Sequence, residues 1–274
     1  MRRQSGPPRF RRLWRTKRAE AMKLGIMQPY FFPYLGHFAL IAAVDEWVVF
    51  DIPQYTRKSW INRNRVLHPD AGWQYISIPL ANSSIHIRIA DAQIASIQDQ
   101  KRYVLGKVSH YRKRAPYYKE VCEIICNAFA AAPDQSLVAL NIEGLRSVCQ
   151  YLALPFRYRR CTELTFDFPQ QLHPGGWAPW IAARLGADTY INPIGGRKLF
   201  DPSEFARGGV TLQFLDFIPF DYKTPGYKFE SNLSILDVMM WNEPDAIVRA
   251  IRDQSSVTSL GEEGEVPLTT NELP

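Results

Sequence analysis

The sequence predicts an α/β fold: a parallel-sheet core that begins with a β-α-β unit and is interrupted by a helical insertion. Three observations carry this expectation. Short apolar runs alternate with amphipathic stretches at both ends of the chain, proline or aspartate closes the first of those runs, and the middle third shows helical periodicity alone. Leu24-Gly25-Ile26-Met27 ends at Gln28-Pro29, where proline withdraws a ladder donor, so it reads as a buried strand entering a loop. Leu35, Phe38, Ile41 and Ala42 then share one helical face, and Trp47-Val48-Val49-Phe50 is strand-like and closed by Asp51. A strand, helix and strand in that order imply a parallel pair with a right-handed crossover.

Residues 52–69 have no clean period and read as a long ordered loop, whereas Trp73–Ile78 and Ile85–Ile89 alternate as half-solvated strands do. Segments 95–110, 116–132 and 136–153 read as helices, placing the insertion at about 95–153. Pro116 takes a first-turn position, and Pro133-Asp134 separates the second helix from the third. The α/β pattern resumes with strand 156–163, helix 177–186, strands 188–191 and 210–217, and helices near 234–241 and 244–253. Internal repeats are not evident.

The composition bounds the function. With 46% hydrophobic residues the chain of 274 can bury a core, and no apolar run approaches the roughly 20 residues of a membrane span. The formal charge of +6 is unevenly placed. Residues 1–21 hold eight bases against Glu20, residues 22–254 hold 25 bases against 22 acids, and residues 255–274 hold four acids and no base. The expected organisation is therefore a disordered basic leader over 1–21, an α/β domain over 22–254 and a flexible acidic tail over 255–274. The leader lacks the apolar core of an export signal. Of three readings, an arm for an anionic surface, a transit-like peptide, or sequence upstream of an initiator at Met22, the last is favoured. Cys122, Cys126, Cys149 and Cys161 show neither a CxxC pair nor zinc-site spacing, so they are expected to be reduced core fillers in a cytoplasmic protein, with no metal site.

In open parallel sheets ligands bind beyond the carboxyl ends of the strands, which singles out loops 28–33, 51–65 and 192–201. The first combines Gln28, a donor and acceptor, with Tyr30 and its aromatic neighbours as a stacking wall; a rigid aromatic plug is the equal alternative. The second gathers Asp51, Tyr55, Arg57, Lys58, Trp60, Asn62, Arg63, Asn64 and Arg65, a concentration of planar donors and rings suited to phosphate or carboxylate. In the third, Asn192 precedes Gly195-Gly196-Arg197-Lys198, where a glycine pair lets backbone approach a ligand; a plain tight turn is equally consistent. Asp51 is the best general base by position, and the expected partner is a small anionic substrate, with no cofactor required. Nucleic acid is disfavoured because no recognised binding motif accompanies the basic cluster.

At these same loops the sequence resembles the WbqC-like protein family. The resemblance is carried by Gln28-Pro-Tyr-Phe-Phe-Pro-Tyr-Leu-Gly36, Asp51 with Gln54-Tyr55, Ser59-Trp-Ile-Asn-Arg-Asn-Arg65, Tyr190-Ile-Asn-Pro-Ile-Gly-Gly196 with Leu199-Phe-Asp201, and Asn232-Leu-Ser-Ile-Leu-Asp237. It implies a role in bacterial surface-polysaccharide (O-antigen) biosynthesis, where aminoacyl (glycine) or acyl transfer to an amino sugar has been suggested. A sugar nucleotide would then supply the pyrophosphate for Arg63, Arg65 and the Gly195-Gly196 turn, and a base to stack on Tyr55 or Trp60. The chain departs from the family pattern around His173–Trp180 and at Thr224. A weaker likeness links Gly36-His37 to the phosphate-stabilising motif of nucleotidylyltransferases, which would make His37 catalytic, although Pro33 stands where the first histidine of that motif belongs. A non-catalytic sugar-nucleotide-binding or assembly protein is the reading from another class.

Overall fold

The computed structural model describes residues 21–82 and 86–259. The expected disorder of the leader falls on residues 1–20, and most of the expected flexible tail on 260–274, outside the described residues. The chain opens with β1 (Lys23–Met27), α1 (Leu35–Ala43) and β2 (Glu46–Val49), as the sequence predicts. β1 and β2 pair in parallel from Leu24 with Glu46 to Met27 with Val49.

The chain next leaves the sheet for about a hundred residues. The segment expected to be a loop to residue 69 contains a strand, β3 (Arg63–Leu67), which forms an antiparallel hairpin with β4 (Trp73–Ser77). Its pattern escapes a hydropathy reading because Asn64 and Val66 are the inward residues while Arg63 and Arg65 face outward against aromatic rings. The strand expected at 85–89 does not form among the described residues 86–89. Arg88 makes only an isolated bridge to Gln54, and Ile89–Asp91 turns as a 3-10 helix. The three expected helices are present as α2 (Ile97–Val108), α3 (Tyr118–Ala131) and α4 (Leu137–Tyr151), with Ser96 and Ser136 accepting backbone N–H bonds at the starts of α2 and α4. These helices are no separate body, since Val104, Ile125 and Leu145 share one core with Phe38, Trp47, Ile76 and Ile191.

Past the insertion, β5 (Tyr158–Arg160), α5 (Trp177–Leu185), β6 (Thr189–Pro193), α6 (Pro202–Arg207) and β7 (Thr211–Phe217) resume the alternation. α6, which the sequence reading does not anticipate, is one short turn held by Asp201, whose side chain accepts from Ser203 N at 2.9 Å. The chain then runs through α7 (Ile235–Trp241) and α8 (Pro244–Asp253). The tail was expected to become flexible at Ser255; instead Ser255–Ser259 forms β8, antiparallel to β7. An edge strand needs only one partner, so a polar Ser-Ser-Val-Thr-Ser stretch with no apolar face suffices.

The six strands of the main sheet stand in the order β5-β2-β1-β6-β7-β8. Renumbered by chain order within that sheet, this is 3-2-1-4-5-6, the doubly wound arrangement, and the α/β class is as the sequence predicts. α1 packs on one face beside α8, and α5 and α6 on the other. Neighbouring residues therefore point into different cores: Ile191 and Leu215 face the α1 side, Tyr190 and Phe214 the α5 side. The winding reverses between β1 and β6, so the three loops singled out by sequence leave the sheet around that reversal.

Candidate functional site

The first loop is fastened from behind. Asn141 Nδ2 on α4 donates to Pro29 O at 2.6 Å and Ile61 O at 2.7 Å. Asn64 Nδ2 donates to Phe31 O and Phe32 O at 3.0 and 2.9 Å, Ser234 Oγ to Phe32 O at 2.6 Å, and Ile235 N to Pro33 O at 2.8 Å. Phe31 N in turn donates to Trp60 O at 2.9 Å, tying the first loop to the second. With its carbonyls committed, the loop holds Phe32 at a positive φ of 38°. Phe31 and Phe32 fill the core, as the plug alternative has it, while Gln28, Tyr30 and Tyr34 stay half-buried at the rim. Burial raises the phenols of Tyr30 and Tyr34, the latter further through Tyr30 and Asp216.

Neither residue named for catalysis is presented to solvent. Asp51 is fully buried and both its oxygens are engaged: Arg160 Nε donates at 3.0 Å and Thr162 Oγ1 at 2.8 Å to one, and Thr162 N at 3.0 Å to the other. His37 lies in the core with ring centroids 4.9 Å from Trp47 and 5.6 Å from Tyr30. Burial drives its imidazole down to about 3, so it is neutral at any physiological pH, and its Nε2 has no partner.

The second loop delivers its arginines to the outer face of the hairpin. Arg63 lies over Tyr75 at 4.2 Å and Trp60 at 5.9 Å, and Arg65 over Trp73 at 5.0 Å and Trp60 at 5.5 Å. Tyr55 is only 4% exposed and so is not an open stacking surface; burial raises its phenol, opposed by Arg63 and Arg57 nearby. Asn62, one of the planar donors of the second loop, donates through Nδ2 to Ile78 O at 2.9 Å and fastens the start of the hairpin.

In the third loop Asn192 is turned inward, accepting from Tyr190 OH and donating to Pro193 O, each at 2.9 Å. A Cβ at Gly196 would overlap Asn192 Nδ2, so this glycine is required by packing. Gly196→Ala should therefore cost about 1–2 kcal/mol by displacing the Asn192 hydrogen bonds, read as a lowered thermal midpoint. An unchanged midpoint would show that Asn192 is not held there. Gly195 and Arg197 stand exposed on the same 3-10 turn, Ile194–Leu199.

Beside this turn lies a pair that carries no local sequence signal. His173 Nε2 meets Glu204 Oε1 at 3.0 Å, with His173 56% exposed. The Gly175 backbone that follows abuts Leu199 O so closely that no Cβ would fit. His173 begins the loop into α5 and Glu204 belongs to α6, so only the fold brings them together. Asn141, Asn64 and Ser234 escaped for the same reason, since a polar residue on a helix or strand carries no local sign that it fastens a distant loop. Asp237, which ends the Asn232–Asp237 stretch of the family resemblance, is a buried hub: Tyr222 OH donates to it at 2.5 Å and Tyr111 OH donates to its other oxygen, while Tyr111 OH accepts from Leu67 N at 2.9 Å.

The parallel ladder between β1 and β6 pairs Lys23 with Thr189 and Leu24 with Tyr190, whereas β1 and β2 stay paired to Met27 and β6 and β7 to Pro193. The two strands thus part at their carboxyl ends, at the reversal where doubly wound sheets hold ligands. Loops one and two are joined directly, and loop three leaves the neighbouring strand. Two surface concavities, of about 480 and 390 Å³, lie elsewhere, beside Tyr158 and Arg184 and beside Val210 and Ser259. Among the described residues no group of three or more His, Cys, Asp or Glu side chains could hold a metal ion, and no helix is long and apolar enough to cross a membrane.

The chain is 26% identical over 221 residues to the uncharacterized protein Rv1507c of Mycobacterium tuberculosis, an alignment that covers 79% of this chain and 92% of that relative. No solved structure matches it. Residues 28–249, which contain all three loops and the hairpin, match the WbqC-like protein family, and the chain belongs to that family.

Proposed function

We propose that this protein binds a nucleotide-linked amino sugar and supports aminoacyl or acyl transfer to it, in the cytoplasmic stage of bacterial surface-polysaccharide synthesis. The observation that carries the reading is the outer face of the hairpin, where Arg63 and Arg65 lie over aromatic rings and make no ion pair within 4.0 Å among the described residues. Two guanidinium groups in no ion pair, with Glu230 the acid that acts on Arg65 from beyond pairing distance, are matched in charge and geometry to phosphoryl oxygens. Free thiols at all four cysteines fit the same compartment.

For the transfer step, Asp51 acts as a positioning residue that fixes the second loop through Arg160 and Thr162, and His37 as a core residue. His173, oriented by Glu204, is the acid–base group that the fold leaves open at the carboxyl end of the sheet. It would take the proton of the attacking amine while backbone N–H groups of the Gly195-Gly196 turn face the carbonyl oxyanion, and return that proton to the donor's leaving group as the tetrahedral intermediate collapses and the donor's acyl bond breaks. Closure of both Asp51 and His37 also favours a second reading, a protein that binds the same ligand without catalysis.

Titration with uridine- and thymidine-diphosphate amino sugars tests the binding claim. Arg63→Ala should weaken binding roughly 10- to 100-fold, the worth of one charge-assisted pair. Affinity indifferent to Arg63→Ala would remove the hairpin from the site. With binding intact, loss of transfer in His173→Ala supports catalysis, and no transfer from any acyl or aminoacyl donor by the parent protein supports the second reading.

A further inference from the structure

Arg63 and Arg65 stand two residues apart on one face of β3, a separation of about 6.6 Å along a strand. Each of the rings around them already has a guanidinium over it: Tyr75 has Arg63, Trp73 has Arg65, and Trp60 has both. Both Nε atoms are buried without an acceptor, which seals the side edge of each guanidinium. Only the end-on Nη1/Nη2 edge remains for a ligand, and Arg65 Nη2 also donates to Asn232 O at 3.3 Å.

We propose that this face is a base-blind diphosphate clamp. The proposal rests on the reading of the hairpin as the ligand site and specifies what is recognised there. An end-on guanidinium offers two parallel donors to two oxygens of one phosphoryl group, and two such forks flank a diphosphate. The aromatic rings orient the forks and strip their water, which strengthens the pairing. They are positioning residues, and their cation-covered faces do not serve a nucleobase. The base stack that the family resemblance suggests for Tyr55 or Trp60 is replaced by this arrangement, because Tyr55 is buried and Trp60 is engaged. Affinity then resides in the diphosphate, whatever base or sugar is attached.

The test titrates the full chain with inorganic pyrophosphate, uridine diphosphate, guanosine diphosphate and uridine, followed by calorimetry. The two nucleotides and pyrophosphate should bind within about threefold of one another, and uridine should not bind at hundredfold higher concentration. Arg63→Lys, which keeps the charge and loses the fork, should weaken all three anions about tenfold. Tyr75→Leu should weaken them as well and Tyr75→Phe should not, with unfolding midpoints confirming that each variant is folded. A nucleotide that binds more than tenfold tighter than pyrophosphate, or binding of uridine, would overturn base-blindness while leaving the hairpin as the site if Arg63→Lys still weakens binding. Anion binding that is absent or insensitive to Arg63→Lys would overturn both the clamp and the hairpin reading beneath it.

Discussion

Asp51→Asn is expected to lower the stability of the protein by about 3 kcal/mol and its thermal midpoint by roughly 10 °C, without any ligand present. The substitution keeps shape and removes charge. Asn can still accept from Thr162 N through one oxygen, but its amide, itself shut off from solvent, then faces Arg160 Nε, donor against donor. Removing the buried charge leaves Arg160 with Glu163, at 3.7 Å, as its remaining acid. Arg160 is 27% exposed and can recover part of that loss from water, which puts the effect at the lower end of the range for buried pairs. Urea unfolding of parent and variant measures it. Parent-like stability together with lost transfer would return Asp51 to the role of a general base.

The second large effect is a pH dependence centred on Asp237. This carboxyl is wholly enclosed, and burial raises it to about 6 against the opposing hydrogen bonds of Tyr111 and Tyr222. Between about pH 4 and 6 the folded protein therefore keeps a proton that the unfolded chain has released. The contribution of Asp237 to stability is fully present below the unfolded value and is lost as pH rises through 6. A displacement of about two pH units corresponds to about 3 kcal/mol. Asp237→Asn cannot titrate, so the stability of the parent relative to this variant should fall by that amount between pH 4 and pH 7. The comparison cancels the slopes of other acids. A difference that does not change with pH would show that Asp237 ionises as an ordinary aspartate. Tyr111 accepts from Leu67 N, so the proton also bears on the hairpin that carries Arg63 and Arg65.

Much of the sheet was legible because parallel strands buried on both faces write themselves as apolar runs, as Leu24–Met27 and Trp47–Val49 do. β3 was not, since its outward face is Arg63 and Arg65, and guanidinium groups packed on rings count as polar in any hydropathy reading. β8 was not, since its only requirement is a partner at the sheet edge. For the site, the three loops could be found from the strand ends and the concentration of donors. The occupation of each side chain could not. Asp51 and Asn192 look open in sequence and are satisfied by Arg160, Thr162 and Tyr190, while His173 looks incidental until α6 brings Glu204 against it. Such pairings depend on tertiary placement, which a local pattern does not encode.

Asn141 has a kinetic consequence. Its amide closes onto carbonyls 112 and 80 residues back in the chain, so the first two loops cannot take their final shape until α4 has been synthesised and docked. Contacts this distant in sequence slow folding because their chain-closure entropy must be met before they contribute stability. A miniature built from the six-strand sheet alone would thus lack the template for the loops that leave β1 and β2. During synthesis the N-terminal strands would wait, with their loops unset, until α4 and then Ser234 and Ile235 had left the ribosome.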